Sequence, residues 1–238
     1  MMSAVELSQF QKDKLRYYFK FLEPNEVKTI DIHSTDRLME RVYKYTSWTP
    51  DSPNAHQCLE VHTLLFEALF EETDKEDGKH KTAVQEDWYT FWSHVLSGCK
   101  TMKHFPVWLR LIPKTLFNMI DRNEDAVIEP KELKDFYKEM VRISTSETVL
   151  EKWSMKAYAA MTDNGHYPLN LDLFEQIFAN FLFGRTPHGP GKYIFGCFKH
   201  DISSFQLIQQ APQDDDDDSS DMYANNEKRP RKFNVFFT

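Results

Sequence analysis

The feature that most constrains this chain is a helix, loop, helix pattern that occurs four times. Apolar residues recur every three or four positions on both sides of each loop, in residues 8–45, 58–96, 109–143 and 147–183. That spacing places the apolar side chains on one face of each helix. Such a face must be buried against other helices, so the pattern predicts an all-α protein of four helix-loop-helix units in two paired lobes.

The units and the segments between them suggest a division of the chain. We predict an N-terminal lobe over residues 1–105 and a C-terminal lobe over 106–200. The Pro, Ser and Asn-rich stretch 49–57 is predicted to be a loop that separates the first two units. Residues 201–238 contain five consecutive aspartates and then a basic cluster, without helical periodicity, which predicts a disordered tail.

One further segment has an unusual composition. Residues 184–198 contain four of the seven glycines of the chain next to two prolines, followed by an apolar run. We predict a loop that leads to a segment packed against the helices. A phosphate-binding loop is not indicated, because the spacing from Gly184 to Lys192 fails and Tyr193 stands where that motif needs Ser or Thr.

Charge and cysteine content exclude several classes of protein. With 29 Lys and Arg against 37 Asp and Glu, the net charge is −8, which argues against a nucleic-acid partner. The three cysteines (Cys58, Cys99, Cys197) lack CxxC spacing, so neither a disulfide framework nor a zinc site is indicated.

No apolar run approaches the roughly 18 residues of a membrane span, and no signal peptide precedes the first unit. We therefore expect a cytoplasmic protein.

The loop of the third unit, residues 121–132, carries the clearest chemistry. A twelve-residue calcium loop supplies oxygen ligands from positions 1, 3, 5, 7, 9 and 12. Every one of these positions holds a suitable group, and apolar helical residues flank the loop on both sides. The match defines an EF-hand that binds calcium, with magnesium as an alternative occupant. The predicted ligands are Asp121, Asn123, Asp125, Val127 through its carbonyl, Glu129 and Glu132.

One residue of this loop departs from the pattern. Position six is normally Gly, because the chain turns there with a positive φ, whereas this sequence has Ala126. The left-handed conformation costs a residue with a Cβ atom on the order of 1 kcal/mol, which would weaken binding roughly fivefold. We therefore expect weakened binding and not its loss.

The other three loops are poorer. Aligning Ile30, Ala83 and Leu169 with Ile128 at position eight gives the register of each unit. In the fourth loop Thr162, Asn164 and His166 then occupy positions one, three and five, Asn170 position nine and Leu173 position twelve. The second loop has acids only at positions one and twelve (Glu76, Asp87), and the first has Glu23 at position one but Ser34 at position twelve. One binding site among four loops is predicted.

The sequence resembles the invertebrate sarcoplasmic calcium-binding proteins and the related calexcitins over roughly residues 8–200. The resemblance is carried by FPVWLRLIPKTLFNMIDRNEDAVIEPKEL and by AYAAMTDNGHYPLNLDLFEQIFANFLFG with GKYIFGCF. It implies a compact, two-lobed, all-α cytosolic protein that buffers calcium and often binds magnesium. Members usually keep two or three working loops, whereas this sequence shows one, and the acidic tail is not part of the family pattern.

Two alternatives to buffering follow from the same residues. A calcium sensor would expose an apolar groove for a target protein helix, and the nine methionines and many phenylalanines could line one. The resemblance also extends to insect juvenile hormone diol kinases, which are similar to sarcoplasmic calcium-binding proteins. Because no phosphate loop supports this second alternative, a non-enzymatic protein is expected.

Overall fold

The computed structural model describes residues 4–22, 28–73 and 81–200, with the backbone of 208–209 and 233–234. In these residues eight α-helices form four helix-loop-helix units, which confirms the all-α prediction. The helices are α1 Gln9–Phe21, α2 Ser34–Thr46, α3 Pro53–Thr73, α4 Gln85–Val95, α5 Val107–Ile120, α6 Pro130–Glu139, α7 Glu147–Met161 and α8 Leu171–Phe183. Short 3₁₀ helices lie at Met102–His104 and Pro190–Tyr193.

Local capping residues set where the helices begin. At α1 the Ser8 Oγ accepts from the Gln11 N–H at 3.2 Å, and the Gln11 side chain accepts from the Ser8 N–H at 3.1 Å. These reciprocal bonds form a capping box. Helix α3 begins at Pro53, and Ser52 Oγ accepts from the Ala55 N–H at 3.3 Å. The prediction of a loop throughout residues 49–57 is therefore wrong from Pro53 onward, because Ser followed by Pro also starts a helix.

The units pair through the eighth position of each loop. Strand β1 (Ile30–Asp31) is antiparallel to β2 (Thr82–Ala83), with Ile30 opposite Ala83. In the other pair the Ile128 N–H donates to the Leu169 carbonyl oxygen at 2.9 Å. All four side chains are fully buried. The predicted register of all four units is confirmed, and unit one pairs with two as unit three pairs with four.

A single apolar core extends through both pairs of units. Helix α3 packs against α5, and the rings of Phe21 and Phe136 lie 5.8 Å apart between their centroids. The predicted boundary between residues 105 and 106 stays a prediction, since helices from both sides of it share this core.

The glycine-rich stretch leads to a segment that packs on the helices, as predicted. Phe195 is fully buried and stacks on Tyr18 with ring centroids 4.4 Å apart. The stretch itself wraps around Asn180 of α8, whose Oδ1 accepts from the Gly191 N–H at 2.8 Å. A Cβ atom at Gly191 would collide with the backbone of Phe181 and Asn180. Close backbone approach therefore explains this glycine.

A buried lysine lies where this segment meets α1 and α8. Lys14 is 1% exposed, and its Nζ donates to the carbonyl oxygens of Asn180 at 3.2 Å and Gly184 at 2.8 Å. These carbonyls are at the C-terminal end of α8, where a cation is favoured by the helix dipole. Burial nevertheless lowers the pKa of Lys14 to about 7.

Most of the predicted disordered tail lies outside the described residues. Of that segment, Ile208–Gln209 (β3) pairs antiparallel with Phe233–Asn234 (β4). In the part of the chain that the structure describes, no helix combines the length and apolar character needed to cross a membrane.

The Lys14 ammonium gives the stability of the protein a pH dependence. Its pKa is about 7 in the folded chain and near 10.5 in the unfolded chain, so between these values the unfolded state binds more protons. The free energy of unfolding should therefore rise with pH from 7 to 9.5, with a contribution of at most about 1.4 kcal/mol per unit. Urea unfolding followed by circular dichroism should show a flatter slope for Lys14→Met. Equal slopes in both proteins would contradict this account.

Candidate metal centre

The third loop is held between two helix ends. Helix α5 ends at Ile120 with Asp121 as its C-cap, and α6 begins at Pro130 with Glu129 as its N-cap. Proline suits this first helical position, where no intrahelical bond needs its N–H. The first residue of the predicted calcium loop therefore caps α5, and the last, Glu132, lies in the first turn of α6.

The backbone of the loop makes the turn that a calcium loop needs, although position six is alanine. Ala126 has a φ of +67° and Glu124 a φ of +59°. The Ala126 N–H donates to Asp121 Oδ2 at 3.0 Å, so position six bends toward position one. Ala126 therefore adopts the left-handed conformation for which glycine is usually chosen, at the cost of local strain.

The side chains at positions three and five lie against the backbone of the loop. Asn123 Oδ1 accepts from the Asp125 N–H at 3.0 Å, and Asp125 Oδ1 accepts from the Val127 N–H at 2.9 Å. The Asn123 amide also donates to Asp125 Oδ2 at 3.0 Å. These bonds fix the rotamers of two predicted ligands before any cation is considered.

Glu132, at position twelve, connects the two ends of the loop. It is 8% exposed, and its Oε1 accepts from the N–H groups of Arg122 at 2.9 Å and Asn123 at 3.3 Å. Its other oxygen, Oε2, accepts from the Glu129 N–H at 2.9 Å. Three backbone donors therefore hold one carboxylate across the mouth of the loop.

Asp121 carries the least satisfied oxygen of the loop. The residue is 6% exposed, and among the described residues its Oδ1 has no hydrogen-bond partner. Burial raises the pKa of this carboxyl group, and the charges of Glu132 and Asp125 raise it further, against the lowering effect of the backbone N–H groups of Ala126 and Asp125. A buried oxygen without a donor, next to two other negative charges, favours a bound cation.

The structure orders four of the predicted ligands, but it does not bring them together as a preformed metal-binding group. Hydrogen bonds within the loop connect Asp121, Asn123, Asp125 and Glu132 to its backbone. Nowhere in the described residues do three or more His, Cys, Asp or Glu side chains form a ready metal-binding group. The ligand set stays a prediction, although the unpaired Asp121 Oδ1 and the oxygen-only donors fit a hard divalent cation.

The first two loops and the third share one type of hydrogen bond. The position-nine N–H donates to the position-twelve side chain, from Asp31 to Ser34 Oγ at 2.9 Å and from Val84 to Asp87 Oδ2 at 2.8 Å. Ser and Asp are too short to reach across the loop as Glu132 does. The predicted position-one residues, Glu23 and Glu76, lie outside the described residues.

The fourth loop uses its oxygens for its own backbone. Thr162 Oγ1 donates to the Tyr158 carbonyl oxygen at 2.7 Å and accepts from the Gly165 N–H at 3.0 Å. Asn170 caps α8 by accepting from the Leu173 N–H at 3.0 Å. With no carboxylate at a side-chain ligand position, this loop acts as a structural partner for the third.

A contact beside the third loop was missed by the sequence reasoning. The Arg122 guanidinium lies 5.0 Å from the centre of the Tyr45 ring, which belongs to α2 in the first unit. No local pattern could reveal this pair, because the two residues come from different halves of the chain.

Solved structures with the same fold are calcium-binding proteins and photoproteins. The sarcoplasmic calcium-binding protein from amphioxus is 18% identical, with a TM-score of 0.64 over 80% of this chain and 98% of that chain. The coelenterazine-binding protein from Renilla muelleri, in a calcium-loaded apo form, is 13% identical, with a TM-score of 0.54 over 82% of this chain and 100% of that one.

An apo-photoprotein has a similar fold. Calcium-loaded apo-aequorin from Aequorea victoria is 19% identical, with a TM-score of 0.52 over 74% of this chain and 92% of that chain. No protein-family model matches the chain. The predicted resemblance to sarcoplasmic calcium-binding proteins is confirmed at the level of the fold.

The strain at position six can be measured. Ala126→Gly should raise the free energy of unfolding by about 1 kcal/mol, because glycine tolerates the +67° φ that a Cβ atom opposes. Ala68→Gly, in the middle of α3, is the control and should lower it by about 1 kcal/mol. Urea denaturation would measure both. Destabilisation by Ala126→Gly would show that the loop carries no such strain.

Proposed function

We propose that this chain is a cytosolic, non-enzymatic protein that binds calcium in the third loop. The observation that carries the proposal is the buried Asp121 Oδ1, which has no hydrogen-bond partner among the described residues. It lies in a loop in which the side-chain oxygens of Asn123, Asp125 and Glu132 are already ordered by hydrogen bonds from the backbone. The ligands in this proposal are Asp121, Asn123, Asp125, Glu129 and Glu132, with the Val127 carbonyl.

Electrostatics within the loop support a divalent cation. Burial and two neighbouring carboxylates oppose ionisation of Asp121, and a bound cation would reverse both effects. Calcium accepts six to eight oxygens in a flexible arrangement, and Glu132 could provide two of them. Magnesium needs six ligands at shorter distances, so we propose calcium as the preferred occupant and magnesium as a weaker competitor.

We propose a buffering role, with a sensing role as the alternative, because the described residues form a closed structure. Sensors open on calcium binding and expose a methionine-rich groove, whereas buffers barely open. Here Met119, Met140 and Met161 are fully buried, and α5 is covered by α3 and α8. The large apolar side chains that are exposed in the described residues are scattered along the chain: Ile32, Leu59, Val84, Val107 and Met155.

A thiol and imidazole pair in α3 does not support catalysis. Cys58 Sγ lies 3.6 Å from His62 Nδ1, a distance at which a base could activate a nucleophile. Both residues are fully buried, and burial raises the pKa of Cys58 to about 12 and lowers that of His62 to about 4. Both groups are therefore neutral at pH 7 and inaccessible to substrate, which favours a packing role.

Calorimetric titration tests the site. The wild type should bind one calcium ion, and Glu132→Gln should lose the binding heat because the substitution removes the acid that spans the loop. Glu124→Gln is the matched control, since it makes the same charge change at exposed position four, which supplies no ligand. An equal loss of binding heat in both variants would show that only the net charge matters. Unchanged binding by Glu132→Gln would show that calcium binds outside this loop.

A dye that binds exposed apolar surface separates the buffer from the sensor. Calcium should leave the fluorescence of anilinonaphthalene sulfonate unchanged, because a buffer barely opens on binding calcium and its apolar core stays buried. A rise in fluorescence that saturates at one calcium ion per chain would favour the sensor and a target helix.

A further inference from the structure

A basic cavity lies beside the third loop, between α2 and α6. Its volume is about 510 Å³, within the range of sites for small molecules. Its lining residues are Arg41, Lys44, Tyr45, Arg122, Asp135, Lys138, Glu139 and Arg142.

The charge of this cavity is opposite to that of the whole chain. Five of its lining residues are cationic and two are anionic, in a protein with a net charge of −8. Cations gathered in a concave site focus positive potential toward a bound anion. A general excess of basic residues cannot explain this concentration.

A buried hydroxyl group without a partner lies beside an exposed guanidinium in this cavity. The Arg122 guanidinium contacts the Tyr45 ring and forms no ion pair with a carboxylate of the described residues. Tyr45 is 7% exposed, and within the same residues its hydroxyl group has no hydrogen-bond partner. A planar guanidinium and a buried hydroxyl donor side by side are suited to an oxyanion.

Arg41 forms the ordered part of the cavity wall. Arg41 is 7% exposed, and its guanidinium donates to the Met140 carbonyl oxygen at 3.1 Å and to that of Phe21. These bonds connect α2 to the ends of α6 and α1. Arg41 is therefore held in place, whereas the other cations of the cavity (Lys44, Arg122, Lys138, Arg142) are exposed and accessible to an anion from solvent.

We propose that this cavity binds a small phosphorylated molecule through its phosphate group. Arg122 would donate to two phosphate oxygens, and the Tyr45 hydroxyl would donate to a third. Arg142 adds positive charge at the same cavity, whereas the charge of Lys138 is offset by its ion pair with Glu147 at 3.4 Å. Asp135 and Glu139 oppose the anion, and they set a limit on its affinity.

The cavity and the metal loop share Arg122. Its side chain lines the cavity, while its backbone N–H donates to Glu132 Oε1 at 2.9 Å. An anion on one side of Arg122 and a cation on the other attract each other, so each should strengthen binding of the other. This coupling rests on the proposed calcium site, whereas the phosphate site does not.

Phosphate binding is tested first without calcium. Full-length protein in EGTA would be titrated with inorganic phosphate by calorimetry, at low ionic strength. Arg122→Gln should weaken binding by about tenfold or more, and Tyr45→Phe by about fivefold, which are the losses expected for a charged and a neutral hydrogen bond. Lys131→Gln, an exposed residue of α6 outside the cavity, is the control and should leave binding unchanged.

A variant that binds phosphate more tightly cannot be explained by misfolding. Glu139→Gln should tighten phosphate binding, because it removes a repulsive charge from the cavity lining. The aspartate run 214–218 could compete for the site, so the titration would be repeated with all five residues replaced by Asn. Absence of phosphate binding in both full-length forms, or equal losses in Arg122→Gln and Lys131→Gln, would overturn the site.

The coupling has a separate readout. Sulfate, which stays soluble with calcium, should raise the calcium affinity of the wild type and leave that of Arg122→Gln unchanged. An equal effect of sulfate on the calcium affinity of both proteins would overturn the coupling. The phosphate titration would still test the phosphate site separately.

Discussion

Pairing of the loops is the constraint on which this structure depends. Each helix-loop-helix unit has apolar faces that it cannot bury alone, and the bond from the Ile128 N–H to the Leu169 carbonyl fixes how two units meet. Ile30 and Ala83 do the same for the first two units. The fourth loop has no acid at a side-chain ligand position but makes this bond, so it positions the third loop without holding an ion itself.

Beside the bond that pairs the third and fourth loops, negative charges face the third loop and a positive charge faces the basic cavity. Glu132 and Asp121 concentrate negative charge inside the third loop, where burial makes that charge costly without a cation. Arg122, one residue after Asp121, turns its guanidinium away toward Tyr45 and the basic cavity. A single backbone segment thus has carboxylates on one side and a guanidinium on the other, which is the physical basis of the proposed coupling.

The sequence predicted local features well and distant ones poorly. Periodicity located the helices, and one residue at position eight fixed the register of each unit, because both signals act over a few residues. Pro53 was misassigned because proline after serine occurs both in loops and at helix starts. Burial of Lys14 and the contact between Arg122 and Tyr45 could not be predicted, since each depends on elements far apart in the chain. The ligand set was predicted from spacing alone.

A crystal structure of the protein grown with calcium tests the central claim most directly. One ion should lie in loop 121–132, at about 2.3–2.6 Å from Asp121 Oδ1 and from both carboxylate oxygens of Glu132, with the Val127 carbonyl among its ligands. The paired loop 162–173 should hold no ion. Calcium bound elsewhere, or a third loop without calcium at saturating concentration, would contradict the account.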